Sequence, residues 1–247
     1  NGSKLLDALE DALSDVFDGD RDKAAHFVKQ QQELLVLGKS TSGDVLSLQK
    51  RFSLTSLWKM KRLQTRYKRL LYLLLAVHGR QIFADGLYNG DPHPGNCLEL
   101  HDGRLGLVDF GQVQELGDDD RLHVARIVCS LAQEADCSEV ATLMRNFGFR
   151  TQDNTDDVMM KDYAKIFFDS DYEAKKLGFA TPQIWFANMM ERNPLVDIPD
   201  SSIFIARSSF LFRGLGKGLN MPPVRTSLHW ESHAKKALTE LDSVVAP

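Results

Sequence analysis

The 247-residue sequence predicts a mainly helical domain interrupted by one small β-hairpin, and three observations predict it. Apolar residues recur at the 3.6-residue helical spacing along most of the chain. Two short apolar runs, Cys97 to Leu100 and Leu105 to Val108, flank His101-Asp102-Gly103, where Asp-Gly signals a tight hairpin turn. Just before and after them stand the most specific motifs of the chain, Asp91-Pro92-His93-Pro94-Gly95-Asn96 and Asp109-Phe110-Gly111.

Taken in order, Lys4 to Val16 is apolar at positions 5, 6, 9, 12, 13 and 16, an amphipathic helical stripe that Asp18-Gly19-Asp20 ends. A second helix is predicted from Arg21 to Leu37, with Lys29 and Glu33 as a surface pair four residues apart. Gly38 to Gly43 reads as a loop. It is not a phosphate-binding P-loop, because the leading glycine of that motif would fall on Glu33. Thr55 to Phe83 is the longest helical pattern. Its first half is basic (Lys59, Lys61, Arg62, Arg66, Lys68, Arg69), which suits a solvated face or an anionic partner, and its second half is apolar.

After the hairpin, Asp118-Asp119-Asp120 leads into a helix predicted over Arg121 to Ala135, the acidic run suiting the positive end of the dipole. Further helices are predicted over 137–147, 155–170, 182–192, 201–213 and 224–242. Gly214 to Gly218 is read as a helix C-cap. His229 and His233 are four apart, but Trp230 stands where a zinc hydrolase helix needs Glu, so no metal site is read there.

The two central motifs have the spacing of a kinase catalytic loop, in which a base Asp precedes a metal-binding Asn by five positions and a second Asp opens D-F-G after a hairpin. Phosphoryl transfer needs one carboxylate at the attacking hydroxyl, and an amide and a second carboxylate to hold Mg²⁺ on the ATP phosphates. Asp91, Asn96 and Asp109 supply these groups. Asp91 is the candidate base, Asn96 and Asp109 the candidate metal ligands, and all three the candidate Mg-ATP site. His93 is expected to orient the loop by hydrogen bonding, since Asp91 already holds the base position. The fold class is thus the large, C-terminal lobe of a protein-kinase-like fold.

The stretches Gly86-Leu87-Tyr88-Asn89-Gly90-Asp91 through Asn96, Leu105 to Leu116, and Ala206 to Leu219 resemble the UbiB/ADCK family of atypical kinases, which typically read G-F-x-H-A-D-P-H-P-G-N and then L-x-L-L-D-F-G. The usual His and Ala before the base are Asn89 and Gly90 here. The resemblance implies an ATP-dependent role in ubiquinone or other prenyl-lipid metabolism at a mitochondrial or plastid membrane surface. It also implies a small lobe, with a phosphate-covering loop and a strand lysine, that this chain does not show. On this reading residues 1–247 form one large lobe: post-hinge helices over 1–54, the central helix with catalytic loop and hairpin over 55–116, and a helical part over 117–247. Such a lobe alone is expected to be inactive.

A hydrophobic content of 43% allows a substantial core, and no run reaches the ~18 to 20 apolar residues of a membrane span. A net charge of −4 argues against nucleic-acid binding. Cys97, Cys129 and Cys137 lack metal-ligand spacing and read as reduced thiols. No A-P-E follows D-F-G, and Gly90 stands where protein kinases carry the arginine of their phosphorylation switch. A protein substrate is therefore disfavoured, leaving a small molecule, a lipid-linked acceptor or water. Two other readings stay open: an aminoglycoside- or choline-kinase-like phosphotransferase, and a pseudokinase that binds nucleotide or lipid without turnover.

Overall fold

The computed structural model describes residues 54–245. The helices expected over 4–16 and 21–37, the loop over 38–43 and the Lys29–Glu33 pair lie outside the described residues. Helix α1, Leu54–Arg80, is followed by one wide π-turn, Gln81–Asp85, so the long helical pattern is α-helical to Arg80 and then loosens. Next come β1 (Leu87–Asn89), a 3₁₀ turn (Pro94–Asn96), β2 (Cys97–Glu99), β3 (Leu105–Leu107) and β4 (Val113–Glu115). The rest is α2 (Asp118–Ala132), α3 (Cys137–Phe147), β5 (Arg150–Thr151), α4 (Asp157–Phe168), α5 (Tyr172–Lys176), α6 (Pro182–Arg192), β6 (Leu195–Asp197), α7 (Asp200–Gly218) and α8 (Thr226–Val245). The protein is mainly helical with small antiparallel strand pairs, as the sequence predicts.

Several boundaries follow directly from capping chemistry. Asp136 accepts the Glu139 N–H at 2.8 Å to open α3, and Gly148 closes it, so the predicted span 137–147 is matched. Thr181 accepts the Ile184 N–H and Pro182 occupies the first turn of α6. Helix α2 begins at Asp118, three residues before the predicted start, because the aspartates sit inside its first turn rather than ahead of it.

Another expectation is corrected at Gly214 to Gly218, which forms the last turn and more of α7 instead of a C-cap after residue 213. The reversal comes later, at Asn220, whose φ of 49° is left-handed. There the Met221 N–H donates to Gly216 O at 2.9 Å and the Asn220 N–H to Lys217 O at 3.0 Å. Asparagine is the residue after glycine that tolerates this conformation, so it takes the role assigned to the glycines.

The described residues form two compact units. The first comprises described residues 54–73 with Pro92–Asp109 and Leu215–Pro222. Its centre is the hairpin β2–β3, paired Cys97↔Leu107, Leu98↔Gly106 and Glu99↔Leu105. The turn closes through Leu100 N–H to Arg104 O and Gly103 N–H to Leu100 O, both 2.8 Å, with Gly103 at φ 80° as an Asp-Gly turn requires. Arg66 reaches Glu99 at 2.6 Å and Gln64 donates to Leu219 O at 2.7 Å. Lys68 donates to Asn220 O at 3.5 Å, so two members of the basic run of α1 are spent inside this unit.

The second unit holds Leu74–Asp91, Phe110–Gly214 and the described part of the chain from Pro223. Helix α8 packs along α2, and α3 against α4. Phe149 fills the centre of an aromatic group with Phe147, Phe167 and Phe168. Trp230 is fully buried, and its indole N–H donates to Leu75 O at 3.2 Å. The buried Asp169 carboxylate accepts from Arg225 Nε at 3.1 Å and from the Ser227 hydroxyl, which ties the end of α4 to the start of α8. Burial holds Asp169 above its usual carboxylate range. Among the described residues no helix is long and apolar enough to cross a membrane.

Candidate active site

The three candidate residues divide between the units: Asn96 and Asp109 belong to the first, Asp91 to the second. In the first unit the loop is shaped by its own sequence. Pro94 opens the 3₁₀ turn, and His93 Nδ1 accepts the Gly95 N–H at 3.1 Å while His93 O accepts the Asn96 N–H at 2.8 Å. Nδ1 is therefore the unprotonated nitrogen in this arrangement, and the ring orients the loop as the sequence reading expected. Directly after Asn96 the chain enters β2. The hairpin returns it so that the Val108 N–H donates to Asn96 O at 2.9 Å. One residue on is Asp109.

Asp109 has φ 60°, a left-handed conformation that costs a non-glycine residue on the order of 1 to 2 kcal/mol. Only three described non-glycine residues adopt a positive φ, and the others, Glu134 and Asn220, follow helix ends. Asp109 follows a strand, inside the D-F-G motif. Backbone strain of this kind gathers where a side chain must be aimed. The donor set also suits a hard divalent cation: one amide oxygen and one carboxylate, with neither thiolate nor imidazole required. Asn96 and Asp109 are thus of the donor types that suit Mg²⁺. The neighbouring Cys97 thiol is buried and pushed up to about 11, so it holds almost no thiolate near neutral pH.

In the second unit Asp91 sits at the end of a short, braced stem. Strand β1 pairs with β4 in the register Leu87↔Glu115, Tyr88↔Gln114 and Asn89↔Val113, and the Gly90 N–H donates to Gln112 O at 2.8 Å. The Asn89 side-chain oxygen accepts the Asp91 N–H at 2.9 Å, and Asn89 O pairs with His78 Nε2 at 3.1 Å. His78 is enclosed by Tyr88, Phe212 and Trp230, with ring centroids 5.0 to 5.7 Å away. Burial pushes its pKa down to about 4, so the imidazole is neutral and donates from Nε2 to that carbonyl.

Gly90 has a steric reason. A Cβ there would lie 2.9 Å from Phe204 Cδ1 and 3.0 Å from both Gln112 O and Gln114 Cγ. The alanine usual at this position does not fit beneath Phe204. One helical turn beyond Phe204, Arg207 donates to Asp91 Oδ1 at 3.1 Å and to Gln112 Oε1 at 2.9 Å. Gly90 leaves no arginine beside Asp91 in sequence, and the one that meets its carboxylate comes from α7, 116 residues away. Nothing in local spacing announces Arg207, although it lies inside the Ala206 to Leu219 stretch that carries part of the family resemblance.

A mainly helical body with this loop, hairpin and D-F-G defines an atypical kinase-like protein. The ABC1 atypical kinase-like domain model matches residues 39–144, the segment that carries the site, as the resemblance implied. Over 74 residues the chain is 38% identical to Protein ACTIVITY OF BC1 COMPLEX KINASE 1, chloroplastic, of Arabidopsis thaliana, a match covering 30% of this chain and 11% of that one. Over 138 residues it is 28% identical to Protein ACTIVITY OF BC1 COMPLEX KINASE 3, chloroplastic, of the same plant, covering 55% and 19%. An uncharacterized protein of Synechocystis is 45% identical over 49 residues, covering 20% and 12%. The chain thus spans less than a fifth of the length of each of these relatives in the matched regions. No solved structure matches it significantly.

Proposed function

We propose that the protein to which this chain belongs binds Mg-ATP through Asn96 and Asp109 and transfers or releases the terminal phosphoryl group with Asp91 as base. The observation that carries this reading is Asp109 itself, a strand-end aspartate held at φ 60° one residue after the backbone bond that ties the hairpin to Asn96. Bound Mg²⁺ would neutralise charge on the phosphate oxygens. Asn96 and Asp109 would hold it, while Asp91 would orient the acceptor hydroxyl and take its proton. The acceptor on this reading is a small molecule, a prenyl-lipid or water. A role in prenyl-lipid metabolism is what the family resemblance implies, and the chloroplastic names of two relatives favour a plastid for it.

The test is Mg²⁺-dependent nucleotide binding by the full-length protein and its Asp109→Asn variant. Removing one charge while keeping the shape should weaken binding by about 10-fold or more, a loss of about 1.4 kcal/mol. Equal affinity in the two proteins would refute the assignment.

A further inference from the structure

Among the described arginines Arg207 is set apart because both ends of its guanidinium fork are engaged at the candidate site, by Asp91 and by Gln112 beside the D-F-G motif. One nitrogen meets the carboxylate of Asp91, and the other meets the side-chain oxygen of Gln112, which follows the D-F-G glycine. The two acceptors are themselves fixed to each other, since the Gly90 N–H binds Gln112 O and the β1–β4 ladder continues directly from that bond. A planar fork held at two points has one orientation, whereas an ammonium at the same place would have many. The approach depends on the sequence at Gly90, where the missing side chain admits Phe204 and so sets the turn of α7 that carries Arg207. Half of the Arg207 side chain still faces solvent, so the pair adds little to stability. Its consequence is geometric.

We propose that Arg207 is the positioning residue for the base of this site. By anchoring Oδ1 of Asp91, with Gln112 fixing the fork, it holds the carboxylate plane in one orientation toward the acceptor hydroxyl. The inference rests on the reading of Asp91 as base. It adds that the conformation of α7 governs turnover, and that the control lies with a fixed ion pair and not with a phosphorylated loop.

The experiment uses the full-length protein and its Arg207→Ala, Arg207→Lys and Gln112→Leu variants, with Asp91→Ala as reference. The readouts are kcat, KM for ATP, the thermal midpoint, and recovery of the alanine variant by added guanidinium. Arg207→Ala should lose about 10- to 100-fold in kcat with KM for ATP moving less than about twofold, the size of effect expected from a misoriented group. Guanidinium should restore part of the loss. Arg207→Lys should fall between, because it keeps the charge and loses the fork, and Gln112→Leu should show a smaller loss of the same kind. The proposal is overturned by an unchanged kcat, by a raised kcat, or by a loss that follows the thermal midpoint and ignores guanidinium. If wild type turns over and responds to Asp91→Ala but not to Arg207→Ala, the positioning role alone is wrong. If wild type has no turnover at all, the reading of Asp91 as base falls, and this role with it.

Discussion

Phe204 lies where the side chain of residue 90 would be: a Cβ on Gly90 would come 2.9 Å from its ring. The two residues are 114 apart in sequence and act as one packing decision. A larger residue 90 forces either Phe204 or the β1 stem to move, and overpacking of this kind costs about 1 to 3 kcal/mol.

Gly90→Ala should therefore lower stability by that amount and reduce turnover, while Mg²⁺-dependent nucleotide binding at Asn96 and Asp109 is retained. Phe204→Ala in the same protein should recover part of the stability loss, because the two changes share one contact while the one to Gln112 O remains. Additive losses in the double variant would show that Phe204 is not what excludes the methyl group.

His78 gives the fold an acid sensitivity with a definite sign. Its folded pKa, pushed down to about 4 by burial, lies below its ordinary value of 6.5. Between these values the unfolded chain binds the proton that the folded chain refuses. The contribution is fully present above about pH 6.5 and is lost as pH falls toward 4, by on the order of 3 kcal/mol. His78→Phe should be less stable near neutrality, having lost the bond to Asn89 O, yet its urea midpoint should fall less steeply with acid. Parallel pH profiles for the two proteins would exclude His78 as the titrating group.

Asp91→Ala separates chemistry from binding. General-base assistance is worth about 10² to 10⁴ in rate, so turnover by the full-length protein should drop by that factor. Nucleotide affinity should change little, because the proposed metal ligands remain. Robust turnover in the variant would mean that another group takes the proton.

At Asn220 the left-handed backbone, φ 49°, ends α7 and is the test of the corrected C-cap. Asn220→Gly should be neutral or slightly stabilising, whereas Asn220→Ala should cost about 1 kcal/mol in denaturant unfolding. Equal stability of the two variants would argue against this turn as the helix stop.

Local chemistry made much of the molecule legible. The hairpin could be read from Asp102-Gly103, α3 from Asp136 and Gly148, and the loop that orients Asn96 from the spacing of His93, Gly95 and Asn96. What could not be read depended on distant partners. The helical state of Gly214 to Gly218 runs against glycine's propensity, and no neighbouring residue marks Asn220 as the true stop. Strand β1 is only three residues long and is recognised by its pairing with β4, not by its composition. Arg207 sits in a helix whose apolar spacing suggests core, and its meeting with Asp91 is created by the fold. The absence of an arginine beside Asp91 in sequence was read from Gly90, but the approach of Arg207 to that carboxylate was not available from sequence.

The buried thiol of Cys97 turns the hairpin into its own clock. With its pKa pushed up to about 11, it has almost no thiolate near neutral pH and resists alkylation while β2 and β3 stay paired. The rate at which a small electrophile consumes Cys97 then reports the fraction of molecules in which the strand that begins directly after Asn96 has separated from the one leading to Asp109.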